Sequence, residues 1–216
     1  MLIDYSLYLI ADASFVTGED IVPFVERAVR GGVTVVQLRG KHLSFGDFLG
    51  LGRRLAAALK VRGVPLIVND RADVALGCRA AGIHLGQDDM PLRVARKVLS
   101  KFMVIGISAN TLEEALEAER QGADYIGLGP VYPTASKATN LPLVGPDGIR
   151  RVKARVRIPV VAIGGINAHN ARAVREAGAD GIAVISAILG KRDVEKAARG
   201  LKEAFCRRVV KGGRYA

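Results

Sequence analysis

Eight short apolar runs recur along the chain, separated by longer segments in which apolar residues follow a helical spacing. The runs are almost continuous in Val, Ile and Leu, which is typical of strands covered on both faces. Strands that alternate with helices predict a parallel sheet, and eight such units predict a closed (β/α)8 TIM barrel of the α/β class. The predicted strands are 7–12, 34–39, 65–70, 82–86, 103–108, 125–131, 159–165 and 181–186.

Length and composition are consistent with one domain. The chain has 216 residues, half of them apolar, so a single barrel over residues 1–216 is expected, with few insertions. No apolar stretch is long enough to cross a bilayer, and acidic residues interrupt the first apolar run, which predicts a strand and not a leader peptide. The two cysteines lack metal-binding or redox spacing, which favours a reducing cytoplasm.

The net charge of +11 raises the question of a polyanionic partner. Basic residues are dense at 150–157 and at the C-terminal tail, but no aromatic residues are interleaved with those at 150–157, and the charges fall on predicted outer helices. We therefore expect a solvated helix surface, with neither nucleic acid nor membrane as a partner. Assembly into a homo-oligomer is left open.

The second predicted strand ends in a basic motif. Its alternation places Gln37, Arg39 and Lys41 on one side, with Leu38 towards the helices. Because the C-terminal strand ends of a barrel meet on one face, these cations predict a site for a group with two or three negative charges. The alternative is an internal salt bridge that closes the barrel end.

Acidic residues end the third strand and follow the fourth. Asp70 and Asp89 are predicted to hold Mg²⁺, which takes one or two carboxylates and leaves its other positions to water and phosphate. Spacing alone does not separate Asp88 from Asp89. The alternative for either residue is an N-terminal cap of the helix that starts near Pro91.

Ser108 ends the fifth strand, and its hydroxyl is predicted either to contact a substrate or to cap the next helix. No histidine is evidently placed to activate it as a nucleophile, so a serine hydrolase is not expected. His84, inside the fourth strand, is predicted to be a hydrogen-bonded core imidazole and not a catalyst. His42 and His169 are predicted to lie in loops.

The ends of the last two strands predict a phosphate site. Gly165 ends the seventh predicted strand, and Ile185 and Ser186 end the eighth. Backbone N–H groups at the start of a short extra helix often bind phosphate at this place in a barrel.

The long irregular connection 134–145 follows the sixth strand and is predicted to be a functional loop, since it contains Lys137. The barrel mouth thus has two predicted anion sites. Two phosphorylated small molecules facing each other would occupy both, which indicates group transfer with diphosphate as the leaving group.

Long ordered motifs then suggest a family. The chain resembles the thiamine-phosphate synthases (thiamine-phosphate pyrophosphorylases) over essentially its full length, in QLRGK (37–41), NDRAD (69–73), GIHLGQDD (82–89), GISA (106–109), GADYIGLGPVYPTASK (122–137), IPVVAIGGI (158–166) and AGADGIAVIS (177–186). The resemblance implies a transferase that condenses 4-amino-2-methyl-5-hydroxymethylpyrimidine diphosphate with 4-methyl-5-(2-phosphooxyethyl)thiazole. The products would be thiamine phosphate and diphosphate.

The resemblance also implies roles for individual residues. Mg²⁺ would be held by Asp70 and Asp89, and catalysis would depend on Arg39, Ser108 and Lys137. The pyrimidine diphosphate would contact Gln37, Leu38, Arg39, Gly40, Lys41, Asn69, Ser108 and Lys137. The thiazole phosphate would contact Thr134, Ala135, Ser136, Gly165, Ile185 and Ser186.

Two positions depart from the family pattern. Ser136 stands where a second threonine is common, which keeps the hydroxyl, and Asn110 stands where many relatives carry histidine. Thiazole tautomerases of the same fold rely on a histidine in that region, so Asn110 favours the synthase. A sugar-phosphate isomerase or epimerase would need a proton-transfer pair or metal-binding histidines, and a basic binding protein would leave the strand-end acids unexplained.

Overall fold

The computed structural model describes residues 3–16, 20–134 and 141–207 of the chain. Within these ranges eight parallel strands pair in sequence order and close into a barrel, which confirms the predicted (β/α)8 fold. The strands are β1 (Leu7–Asp12), β2 (Val35–Arg39), β3 (Leu66–Asn69), β4 (Gly82–Leu85), β5 (Val104–Ala109), β6 (Tyr125–Leu128), β7 (Val160–Ile163) and β8 (Gly181–Val184). The helices are α1 (Ile21–Arg30), α2 (Phe45–Lys60), α3 (Ala72–Gly77), α4 (Leu92–Val98), α5 (Leu112–Arg120), α6 (Gly145–Lys153), α7 (Ala171–Glu176), α8 (Ser186–Leu189) and α9 (Val194–Cys206).

Alternation along the strands produces two apolar layers. In β1, Leu7 and Leu9 pack outwards against the helices, whereas Tyr8 and Ile10 fill the barrel interior. The interior layer includes three tyrosines, each with a polar hydroxyl group. Its members are Tyr5, Tyr8, Ile10, Val35, Ile67, Tyr125, Val161 and Ala183. Hydroxyl groups inside the barrel need hydrogen-bond partners there.

Two glycines make room for large rings inside the barrel. A Cβ atom on Gly106 would lie 2.0 Å from Cζ of Tyr125, and one on Gly127 would lie 2.9 Å from Cε1 of His84. Gly106 of β5 pairs with Tyr125 on the neighbouring strand β6, whereas Gly127 of β6 pairs with Ser108 of β5 and faces His84 two strands away on β4. The glycines therefore fix where Tyr125 and His84 can sit.

Five of the eight strands, β3, β4, β6, β7 and β8, end one to three residues earlier than the apolar runs predict, whereas β1 and β2 end as predicted and β5 ends one residue later. Asp70 follows β3, and Gly164 and Gly165 follow β7, all three with positive φ. Positive φ breaks the strand conformation, so Asp70 and Gly165 lie in loops above the strand ends, whereas Arg39 and Ser108 lie within the last two residues of β2 and β5.

The N-terminal ends of helices α4 and α5 exclude two capping roles that the sequence had left open. Helix α5 is capped by Thr111, whose Oγ1 accepts from the backbone N–H of Glu114 at 3.1 Å, so Ser108 is not its cap. Helix α4 begins after Pro91 without a side-chain cap, so neither Asp88 nor Asp89 has that role. Of the described residues, no helix is both long enough and apolar enough to span a membrane.

The barrel closes where its first and last units meet. Strand β1 pairs with β8, and a Cβ atom on Gly31, after α1, would lie only 2.3 Å from the carbonyl oxygen of Glu195 in α9. Lys202 Nζ of α9 lies 3.2 Å from Oδ2 of Asp4. The closing contact thus involves both strands and helices.

Candidate active site

The C-terminal strand ends bring the predicted basic and acidic residues to one face, here called the barrel mouth. The described residues there that could bind a ligand or take part in catalysis are Asp12, Gln37, Arg39, Lys41, Asn69, Asp70, Asp89, Ser108, Gly165 and Ser186. Active sites of this fold lie on this face.

Arg39, at the end of β2, forms an ion pair with Asp12 at the end of β1. Asp12 also accepts hydrogen bonds from the backbone N–H and the hydroxyl of Ser14, at 3.0 and 2.6 Å. Burial raises the pKa of Asp12, but the hydrogen bonds from Ser14 and the charge of Arg39 bring that pKa below its ordinary value. The salt bridge considered as an alternative for Arg39 therefore exists, and it holds the guanidinium at the rim. The pattern of β1 offered a signal for Asp12, since it follows Tyr8 and Ile10 on the inward face.

A carboxylate pair lies beside this cation. The carboxyl groups of Asp70 and Asp89 hydrogen-bond to each other, and Lys41 Nζ lies 3.7 Å from Oδ2 of Asp70. Asp89 Oδ2 also accepts from the backbone N–H of Gly86 at 2.6 Å, which holds it against the end of β4. The neighbouring Asp88 is exposed. The structure thus brings Asp89 to Asp70.

The two carboxyl groups differ in proton affinity. Burial and the neighbouring Asp89 carboxylate raise the pKa of Asp70 to about 6, against the lowering effect of Lys41 and Arg39. Burial also raises the pKa of Asp89, but the hydrogen bonds from Asp70 and from the Gly86 backbone bring it below its usual value. Two carboxyl groups that share one proton provide the oxygen donors that a divalent cation would use in its place.

The donor set fits a hard cation. Among the described residues no cluster of three or more His, Cys, Asp or Glu side chains forms a metal site. Two carboxylates suffice for Mg²⁺ when water and substrate phosphate complete the shell, and the other groups at this place are cations that suit the phosphate.

Ser108 has a histidine partner that the sequence analysis missed. His84 Nε2 lies 3.0 Å from Ser108 Oγ, so a histidine does lie within hydrogen-bond distance of this serine, and its tautomer decides whether it could activate the hydroxyl. The two residues lie on adjacent strands, β4 and β5, at inward positions, and the alternation of both strands could have signalled the contact. His84 is also hydrogen-bonded to a core residue, Tyr125, as predicted.

Behind Ser108 a hydrogen-bonded chain crosses the barrel interior. His84 Nδ1 lies 3.0 Å from the Tyr125 hydroxyl, which lies 2.8 Å from the Tyr8 hydroxyl. The amide nitrogen of Gln37 donates to Tyr8 at 2.9 Å. Burial raises the pKa of both Tyr8 and Tyr125, so both phenols stay protonated at neutral pH. We call this series the interior chain: Gln37, Tyr8, Tyr125, His84 and Ser108.

Other residues that were predicted to bind the pyrimidine diphosphate differ in access. The side chain of Leu38 is fully buried against the helices, so it could offer only backbone groups. Gly40 packs closely on Leu43 and Phe48, and Asn69 is half-buried at the end of β3. Lys41 is half-exposed at the rim.

The opposite side of the mouth has the backbone geometry expected for phosphate. Gly165, with φ of 65°, is so close to the preceding loop that a Cβ atom would lie 2.5 Å from the carbonyl oxygen of Pro133. Thr134 follows directly, and the short helix α8 starts at Ser186 after Ile185. Ala135, Ser136 and Lys137 lie outside the described residues.

Known proteins with the same pattern identify the family. Residues 7–188 match the family described as Thiamine monophosphate synthase. This chain belongs to that family. A thiamine-phosphate synthase of Syntrophomonas wolfei is 48% identical over 202 residues, which are 94% of this chain and 97% of the relative. One from Methanocella arvoryzae is 51% identical over 198 residues, which are 92% and 93% of the two chains.

A solved structure agrees with this likeness. The thiamine phosphate pyrophosphorylase of Pyrococcus furiosus superposes with a TM-score of 0.86 at 42% identity, over 94% of this chain and 96% of that one. The sequence predictions of a thiamine-phosphate synthase and a transferase are thereby confirmed as the function, ahead of the tautomerase, isomerase and binding-protein alternatives. The roles of individual residues remain predictions.

Proposed function

We propose that the barrel mouth joins a pyrimidine diphosphate to a thiazole phosphate, with diphosphate as the leaving group. The observation that carries this proposal is the Asp70–Asp89 carboxyl pair beside Lys41 and Arg39 at the ends of β2 to β4. This set supplies both cation ligands and direct phosphate contacts, which a diphosphate leaving group needs.

Mg²⁺ is the proposed cofactor, held by one oxygen or more of Asp70 and Asp89. When bound there, it would neutralise charge on the diphosphate oxygens and so stabilise the leaving group. The Gly86 backbone N–H orients Asp89, and the left-handed turn at Asp70 directs it to the same point. Family membership supports a pyrophosphorylase-type enzyme, and the identity of the metal is our inference from the oxygen donors.

The positive side chains of Arg39 and Lys41 would also neutralise negative charge on the diphosphate. Asp12 holds Arg39 at the rim, so little side-chain entropy is lost when the other N–H groups of Arg39 meet the diphosphate. Lys41 Nζ, 3.7 Å from Oδ2 of Asp70, adds a second positive charge. Preorganised charges of this kind stabilise a developing anion more than mobile water does.

The reaction itself needs no strong protein nucleophile. The bond between the pyrimidine methylene carbon and the diphosphate oxygen breaks, and its electron pair leaves with diphosphate. The aminopyrimidine ring delocalises the positive charge, and the lone pair of the thiazole nitrogen forms the new C–N bond. The thiazole phosphate would bind the backbone at Gly165 and Ser186, with Thr134, Ala135, Ser136 and Ile185 as further predicted contacts.

The proposal is tested by incubating the protein with both precursors and Mg²⁺, then measuring product mass and released diphosphate. We expect thiamine phosphate and diphosphate in equal amounts, and Arg39→Ala to lower turnover more than about tenfold, the scale of about 1.4 kcal/mol in the barrier. Arg172→Ala is the matched control, since Arg172 pairs with Glu176 on the exposed surface of α7. Isomerisation of the thiazole without diphosphate release would contradict the proposal and support a tautomerase.

Cytoplasmic location, a homo-oligomer and the absence of a nucleic-acid partner stay predictions from the sequence. The two cysteines are free, Cys78 buried and Cys206 exposed, which supports a reducing compartment.

A further inference from the structure

We propose that His84 is a positioning residue that makes the Ser108 hydroxyl a hydrogen-bond donor to the pyrimidine diphosphate. This inference rests on the proposed function, since it assigns a role within the same site. Its basis is the interior chain, which joins Gln37 at one end to Ser108 at the other through three ring side chains.

The chain has a direction because one of its ends can only donate. The amide nitrogen of Gln37 carries protons and no lone pair for hydrogen bonding, so the Tyr8 oxygen accepts from it. The hydrogen bonds of the Tyr8 hydroxyl join it to Gln37 Nε2, which cannot accept, and to the Tyr125 oxygen at 2.8 Å, so we infer that Tyr8 donates its single proton to Tyr125. Tyr125 in turn donates its proton to the next acceptor.

That next acceptor is His84. Its Nδ1 atom lies 3.0 Å from the Tyr125 oxygen and accepts the phenolic proton. A neutral imidazole whose Nδ1 accepts carries its own proton on Nε2, 3.0 Å from Ser108 Oγ. His84 therefore donates to Ser108, and the serine proton turns away from the ring towards the mouth.

The direction of the hydrogen bonds at His84 is opposite to that in the catalytic triad of a serine hydrolase. In a catalytic triad the histidine Nδ1–H donates to a carboxylate, which leaves Nε2 free to take the serine proton. Here Nδ1 faces a phenol that donates, so Nε2 has no lone pair for the serine. Ser108 gains donor strength and no nucleophilicity, as a reaction between two bound substrates requires.

Burial makes the arrangement rigid. Tyr125 is 0% exposed, Tyr8 1% and Gln37 3%, so water does not compete for these hydrogen bonds. Gly106 and Gly127 leave the rings no other place, because their missing side chains form the space that Tyr125 and His84 fill. Because His84 already fixes the orientation of the Ser108 hydroxyl, this hydroxyl loses little entropy when it donates to an acceptor on the substrate.

Two isosteric substitutions separate positioning from a merely structural role. In His84→Gln the side-chain amide nitrogen reaches about as far as Nε2 and can still donate to Ser108, whereas in His84→Asn it reaches only about as far as Nδ1. Each variant keeps one of the two contacts. We expect His84→Gln to retain kcat/KM within about threefold of wild type and His84→Asn to lose more than about tenfold, with similar losses of melting temperature. Equal losses of kcat/KM in the two variants would overturn the proposal.

A spectroscopic measurement works even if a variant does not fold. The chain has three histidines, so the ring nitrogen signals of His84 in the ¹⁵N-labelled wild-type protein can be assigned against His42→Gln and His169→Gln. We expect a neutral ring with its proton on Nε2 at pH 8, and a mixture of tautomers in Tyr125→Phe. A proton on Nδ1 in the wild type would overturn the proposal. Failure of the wild type to form thiamine phosphate would instead contradict the proposed function, which this measurement does not depend on.

Discussion

Asp70 is a charged residue held in a left-handed backbone conformation, with φ of 62°, directly after β3. Few side chains other than Asp and Asn adopt this conformation readily. Its carboxyl group is pressed against that of Asp89, and burial together with Asp89 raises its pKa to about 6. The residue thus combines backbone strain and charge repulsion at one point, as functional sites often do.

Asp70→Asn tests this balance, because asparagine keeps the shape and the left-handed conformation while it removes the titration. The folded wild type binds more protons than the unfolded chain between about pH 4 and 6, so Asp70 stabilises the metal-free protein at low pH, and this contribution is lost as pH rises through about 6. We expect urea unfolding in EDTA to show this loss in the wild type, about 1–2 kcal/mol between pH 5 and 8, and not in the variant.

Asp88→Asn is the matched control, since Asp88 is the exposed neighbour of Asp89. It should leave both the pH dependence and any stabilisation by Mg²⁺ unchanged, whereas Asp70→Asn should remove both. A variant at Asp70 that Mg²⁺ still protects from thermal unfolding would argue against the proposed metal site.

Residue types were easier to predict than residue partners. The sequence identified Arg39, Asp70 and Ser108 because polar residues at strand ends stand out against apolar runs. It did not reveal that Asp12 holds Arg39 or that His84 touches Ser108. Such pairs depend on the register between strands, which a pattern along one strand does not contain.

At the scale of elements, strand positions were predictable and their ends were not. The β7 run predicted a strand to residue 165, but Gly164 and Gly165 take positive φ and end it at Ile163. Apolar glycine-containing sequence continues through both conformations, so hydrophobicity does not mark the boundary. Strand β5 likewise continues one residue past Ser108 to Ala109, and helix α5 begins at Leu112 after its cap Thr111.

Gly106 in β5 and Gly200 in α9 should respond to substitution in opposite ways. Gly106→Ala would place a Cβ atom 2.0 Å from the Tyr125 ring, so we expect a loss of about 2–3 kcal/mol or more in the free energy of unfolding. Gly200→Ala in α9 meets nothing within 4 Å and should gain up to about 1 kcal/mol through helix propensity. Chemical denaturation of both variants checks this. Wild-type stability in Gly106→Ala would mean that the ring can move and that the interior chain is not rigid.

For the whole molecule, the alternation of eight strands with helices was sufficient to predict the closed barrel. Once the order of elements is known, right-handed connections and parallel pairing leave few other arrangements. The loop around Lys137 and the tail after residue 207 lie outside the described residues, so the predictions made for them are unchanged.

The net charge of +11 is also a property of the whole molecule. Many of the basic residues on the helices pair with acids, as Arg30 does with Glu195 and Arg199 with the same glutamate. We expect labelled duplex DNA to bind with a dissociation constant weaker than about 10 µM at about 0.15 M salt, as nonspecific attraction allows. Submicromolar binding that falls steeply with salt would show a nucleic-acid partner, and fluorescence anisotropy measures it.

The contact between Asp4 and Lys202, beside the pairing of β1 with β8, has an evolutionary consequence. A ring of units whose last member touches its first has no privileged starting point, so a gene could be cut and rejoined elsewhere without new contacts. The exposed turn at Gly63, on the face away from the mouth, offers such an opening. A chain that starts at this turn, with its original ends joined, should therefore fold into the same barrel.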